Sequence, residues 1–110
     1  NGGIYKGKRI FSEDLIKFAL EEQVRGNDLV LVEPVRWGIG FGLPIDNISW
    51  MGFLEEGACF WAGWGGSMSI AETNKKISFG YTPCLMEEGT IGAERSQNLV
   101  RSLANQISKL

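Results

Sequence analysis

The sequence predicts an α+β fold: an antiparallel sheet built from two hairpins, with a C-terminal amphipathic helix packed on it. Three observations carry that expectation. Residues 77–82 alternate strictly after a polar turn at 72–76, which marks a hairpin. Trp37, Ile39, Phe41 and Leu43 alternate with Arg36, Gly38, Gly40 and Gly42, a period of two that belongs to a strand. Leu99, Val100, Leu103, Ala104, Ile107 and Leu110 fall on one face of a helix over residues 93–110, with Arg95, Asn98, Arg101, Asn105 and Lys109 largely opposite.

In chain order, Asn1-Gly2-Gly3 is a turn signal, and short strands at Ile4-Tyr5-Lys6 and Arg9-Ile10-Phe11 flank a Gly7-Lys8 turn. Ser12 is a plausible N-cap with Glu13 and Asp14 at the positive end of the helix dipole, and Leu15, Ile16, Ala19, Leu20 and Val24 recur at helical spacing. A first helix is therefore expected over 13–24, closed by Gly26 or Asn27. Residues 29–32 read as an extended apolar segment stopped by Pro34. The alternating strand follows over 35–44, with a bulge or a close neighbour expected at its glycine face. Asp46-Asn47 marks a turn, residues 48–54 are a strand or an irregular connection, and Glu55-Glu56-Gly57 ends that stretch.

Composition excludes much. The 110 residues suffice for one small domain, and 11 basic against 13 acidic side chains leave a net charge of −2 with no basic stripe, which argues against nucleic-acid binding. Histidine is absent, which removes the usual zinc ligand and the histidine base of Ser-His or Cys-His catalysis. No metal or cofactor is expected. Cys59 and Cys84 lack a Cys-x-x-Cys spacing and read as buried thiols in a reducing, cytoplasmic compartment. No run reaches the length of a membrane span, so no membrane partner is expected. The start on a turn signal without an initiator Met is what a chain cut from a longer one would show.

The candidates for chemistry thin out quickly. Glu55-Glu56 and Glu87-Glu88 are adjacent carboxylates beside a glycine, and read as solvated loop charges. None of the eight serines is followed three positions later by lysine, and none lies in a Gly-x-Ser-x-Gly elbow. The spacings Gly38-x-Gly40-x-Gly42 and Gly63-x-Gly65-Gly66 miss the dinucleotide pattern. What remains is the densest segment, Phe60-Trp61-Ala62-Gly63-Trp64-Gly65-Gly66-Ser67.

That segment, with Phe79-Gly80-Tyr81 and a helix after it, resembles the C-terminal part of the serine β-lactamase and penicillin-binding-protein superfamily, in particular its family VIII carboxylesterase-like branch. Members of that branch commonly carry Phe-x-His-Gly-Gly-x-Gly-Gly-Ser, a hairpin ending Gly-Tyr and a terminal helix. Asn1-Gly2-Gly3, the 7–12 segment and Arg36-Trp37-Gly38-Ile39-Gly40-Phe41 are similar to its upstream turn, helix and Trp-Gly-x-Gly-Phe strand, in the same order. The resemblance implies that residues 1–110 are a single partial domain, the C-terminal portion of a β-lactamase/transpeptidase-like fold. It also implies that Trp61-Ala62-Gly63 takes the place of the third active-site motif, with the Trp64 backbone N–H as one oxyanion-hole donor and Gly65 and Gly66 beside the substrate. A register on Trp64-Gly65-Gly66 stays open.

Two departures shape what the resemblance implies. Position 61 is Trp where the family often has Lys or His, so nothing there holds a substrate carboxylate, and neutral esters are favoured over β-lactams or peptidoglycan stems. The nucleophile motif Ser-x-x-Lys and the Tyr-x-Asn or Tyr-x-Ser motif are absent, so the chain is expected to be inactive alone and to meet a small ester or amide substrate only with the rest of the hydrolase domain. Two rival readings are a small β-rich binding module that docks a partner through its tryptophans, and a degenerate pseudo-hydrolase. A packed core also accounts for tryptophans near glycines, and is the expected place of Trp37 and Phe41.

Overall fold

The first hairpin turns where two positive-φ residues fit. Lys6 (φ 47°) and Gly7 (φ 76°) join β1 (Ile4–Tyr5) to β2 (Lys8–Arg9), one position earlier than the expected Gly7-Lys8 turn. The computed structural model describes residues 1–46 and 48–109, so the turn expected at Asn47 and the helix position of Leu110 lie outside the described residues.

Ser12 caps helix α1 (Glu13–Ala19) by accepting the Leu15 N–H at 3.1 Å. The helix is shorter than the expected 13–24. The sheet takes the chain over first: Ala19 O accepts the Ile39 N–H, Gln23 N–H donates to Trp37 O, and Val24 to Asn27 form β3, paired antiparallel with β4 (Pro34–Trp37). Gly26 and Asn27 are thus strand residues, not a helix cap. Residues 29–32, expected to be extended, belong to the loop between β3 and β4. The Asp28 carboxylate holds that loop, accepting the N–H groups of Val30 and Leu31, both at 2.8 Å. Pro34 opens β4 instead of stopping a strand.

The strand expected over 35–44 also ends early, at Trp37. Gly38 N–H donates to Phe41 O around Gly40 (φ 78°), and the chain doubles back so that Leu43 N–H reaches Arg36 O. Gly42 then exchanges two hydrogen bonds with Phe60, both 2.9 Å, and links β4 to β5 (Cys59–Ala62). Periodicity gave the wrong length because glycines on the bare face make close approaches possible. A Cβ on Gly42 would lie 2.6–2.8 Å from the Phe60 ring, and one on Gly38 2.5 Å from Ala19 O.

The dense segment splits at a turn over 63–67 into β5 and β6 (Met68–Glu72), and β6 pairs with β7 (Ile77–Tyr81) in the expected hairpin. Residues 48–54 are an irregular connection held by Met51 N–H to Ile48 O and Leu54 N–H to Met51 O. Trp50, Met51, Phe60, Met68, Ile70 and Val100 form the core, with the Trp50 and Phe60 rings edge to face at 5.2 Å.

Helix α2 (Glu94–Ile107) covers this core through Val100. Ser96 Oγ accepts the Ala93 N–H and donates to Ala93 O, which fixes the first turn. The buried stripe is Ser96 and Val100, with Leu103, Ala104 and Ile107 half-buried, whereas Leu99, expected on the core face, is exposed. The fold is α+β, as expected. No helix among the described residues is long and apolar enough to cross a membrane.

Candidate functional site

Strand β5 has two unlike edges. Trp61 pairs with Ser69 on β6, and Gly63 N–H continues that ladder to Ser67 O at 2.9 Å. Phe60 sends both its N–H and its C=O the other way, to Gly42. Ladder alternation therefore aims the N–H and C=O of Ala62 at the Gly42 side as well, and no bridge among the described residues extends past Gly42. Trp64 follows at the end of this edge, where the chain turns with Gly66 N–H donating to Gly63 O. Among the described residues the Trp64 N–H has no hydrogen-bond partner.

This edge opens on a hollow of ≈ 420 Å³ lined by Trp61, Ala62 and Trp64 from the β5 side, by Asp28, Val30 and Leu31 from the β3–β4 loop, and by Trp37, Phe60, Thr90 and Ile91. Trp37 and Trp61 meet here with ring centroids 5.6 Å apart and planes at 45°. Trp61 is 53% exposed and Trp64 67%. The Asp28 carboxyl is held below its ordinary range, first by the Leu31 and Val30 N–H groups and further by the Trp37 side chain. Its charge is thus engaged by its own loop. Trp64 also borders a larger hollow of ≈ 690 Å³, walled by residues 48–51 and 88–94 among others.

The predicted site residues do not all meet. Trp61, Ala62 and Trp64 share one hollow. Trp61 and Ala62 also line a second hollow of ≈ 570 Å³ toward β7, where they meet Gly63, on which a Cβ would lie 2.5 Å from Ser67 Oγ. Gly65 (φ 94°) and Gly66 (φ 103°) are turn residues, and a Cβ on them would meet Met86 Cε at 2.6 Å and Ala93 Cβ at 2.9 Å. They pack against protein and do not line the hollow.

Trp37 and Phe41, expected in the core, are half-buried and exposed respectively, and of the two cysteines expected to be buried Cys59 is half-buried and Cys84 exposed. Sequence reasoning missed the contribution of the β3–β4 loop. Its signal was Asn27-Asp28 before an apolar run, the arrangement in which an Asp side chain ties down the turn that follows it.

No protein-family profile and no curated protein matches the chain. Solved structures do. A penicillin-binding-protein homologue from Caulobacter crescentus is 32% identical over 97% of this chain, with a TM-score of 0.78. A family VIII carboxylesterase is 28% identical over 96%, with a TM-score of 0.79. EstA from Arthrobacter nitroguajacolicus is 26% identical over 91%, with a TM-score of 0.73. The chain spans only 28%, 28% and 26% of those proteins. Over nearly its whole length, then, the chain is similar in fold, and in more than a quarter of the aligned residues, to part of the β-lactamase-like penicillin-binding-protein homologues and family VIII carboxylesterases.

Proposed function

We propose that this chain supplies one wall and one oxyanion-hole donor of an acyl-transfer site in a serine hydrolase of the esterase branch, with the attacking serine on polypeptide outside these 110 residues. The observation that carries the reading is the Trp64 N–H, without a partner among the described residues, at the end of the open β5 edge and beside a hollow. Acyl transfer develops negative charge on one carbonyl oxygen, and a fixed backbone N–H aimed at that oxygen lowers the barrier by about 3 kcal/mol per donor. A turn closed by the Gly63–Ser67 and Gly63–Gly66 hydrogen bonds suits that task, because the donor needs no reorganisation during the reaction.

Trp61-Ala62-Gly63 is the favoured register, since Trp61 and Ala62 are strand residues whereas Gly65 and Gly66 form the turn. The hollow presents no cation to a substrate carboxylate, which favours neutral esters or amides. By itself the chain has no Ser-x-x-Lys and hydrolyses nothing. The test is a graft in which this chain replaces the matching segment of the family VIII carboxylesterase. Turnover of p-nitrophenyl acetate by the graft, and none by the chain alone, supports the reading. Turnover by the chain alone that survives replacement of all eight serines contradicts it.

A further inference from the structure

We infer that the hollow beside the β5 edge receives an uncharged aromatic group carried by the ester whose carbonyl meets that edge, an inference that rests on the acyl-transfer reading above. Trp37, Trp61 and Trp64 converge on this hollow, with Val30, Leu31 and Ile91 as aliphatic walls. Two of the three indoles are more than half exposed, although indole surface of that size is ordinarily covered. The tilted Trp37–Trp61 pair offers a flat ring both stacked and edge-to-face contact, the geometries aromatic groups prefer. The volume of ≈ 420 Å³ is that of a small-molecule site.

Charge decides the class of ligand. Asp28 is the sole ionisable residue among those lining the hollow, and its carboxylate already accepts the Val30 and Leu31 N–H groups. A carboxylate-bearing ligand would meet a like charge and no lysine or arginine. A neutral ring loses nothing on entry.

The experiment compares methyl 2-naphthoate with 2-naphthoate, the same ring without and with a charge, on the 110-residue chain. The readout is the indole N–H resonances in proton–nitrogen correlation spectra. Trp50, sealed in the core, is the internal reference. The ester is expected to shift the resonances of Trp61 and Trp64 and leave Trp50 in place, and the acid to bind roughly tenfold more weakly or worse.

Trp61→Leu and Trp64→Leu, two exposed positions whose change opens no core, should each weaken the ester about fivefold, whereas the equally exposed Leu85→Ala should not. Equal affinity for ester and acid, no binding of the ester, or binding undiminished in both Trp variants overturns the inference. Failure here, alongside a graft whose turnover depends on the Trp64 amide, removes the aromatic ligand and leaves acyl transfer standing. Ring binding with a turnover indifferent to that amide does the reverse.

Discussion

Gly42 shows how much one missing side chain can position. Its backbone exchanges two hydrogen bonds with Phe60 while the Phe60 ring occupies the space a Cβ would need, so a single residue joins β4 to β5 and leaves the edge beyond it bare. Gly42→Ala should therefore destabilise the chain by roughly 1–3 kcal/mol, measured by urea unfolding, since either the Phe60 ring or the bridge must move. An unchanged midpoint would show that the close approach is not tight.

At this scale the sequence was informative but incomplete. It marked the glycine face as a place of close approach and singled out Trp61, Ala62 and Trp64, which share one hollow. It also assigned Gly65 and Gly66 to the substrate wall, whereas their positive φ angles make them turn residues against Met86 and Ala93. The sequence of a Gly-rich run does not separate glycines kept for a turn from glycines kept for an approaching ligand.

Among the elements, the β3–β4 hairpin is tied to its neighbours by one guanidinium as well as by the Gly42–Phe60 bridge. Arg36, largely buried, donates to Glu22 at 2.6 Å, to Glu56 at 2.9 and 3.1 Å, and to Pro44 O at 3.3 Å. Arg36 holds the Glu56 carboxyl below its ordinary range, and Glu22 is lowered by Arg25 first and Arg36 second. Acids with lowered folded-state values contribute stability that is present above the ordinary carboxylate range, about pH 4, and is lost as pH falls through the lowered values. The wild-type chain should thus lose stability on acidification through and below that range, and Arg36→Met should flatten the slope as well as lower the plateau. Parallel curves in urea titrations across pH would contradict this role.

The hairpin itself was hidden in the sequence. Leu15, Ile16, Ala19, Leu20 and Val24 keep helical spacing across a boundary where β4 captures the chain, because long-range pairing outweighs weak local propensity. By contrast the β6–β7 hairpin and α2 were legible, since strict alternation around a polar turn and a long apolar stripe leave little room for tertiary override.

Across the whole molecule, burial is lopsided. One side of the β5–β6–β7 sheet carries the core under α2, while Ile4, Tyr5, Ile10, Phe11, Leu15 and Phe18 at the other end of the chain are all exposed. The same holds for Trp61 and Trp64 at the β5 edge. Fold class and family-level resemblance were legible because motif order along the chain survives where element lengths do not.

We propose that the Trp64 backbone N–H stabilises an oxyanion. Its most direct test replaces the peptide N–H at Trp64 by an ester oxygen within the carboxylesterase graft, which removes the donor and leaves every side chain in place. A fall in kcat of about 10²–10³ with KM nearly unchanged is expected. An unaltered kcat would contradict it.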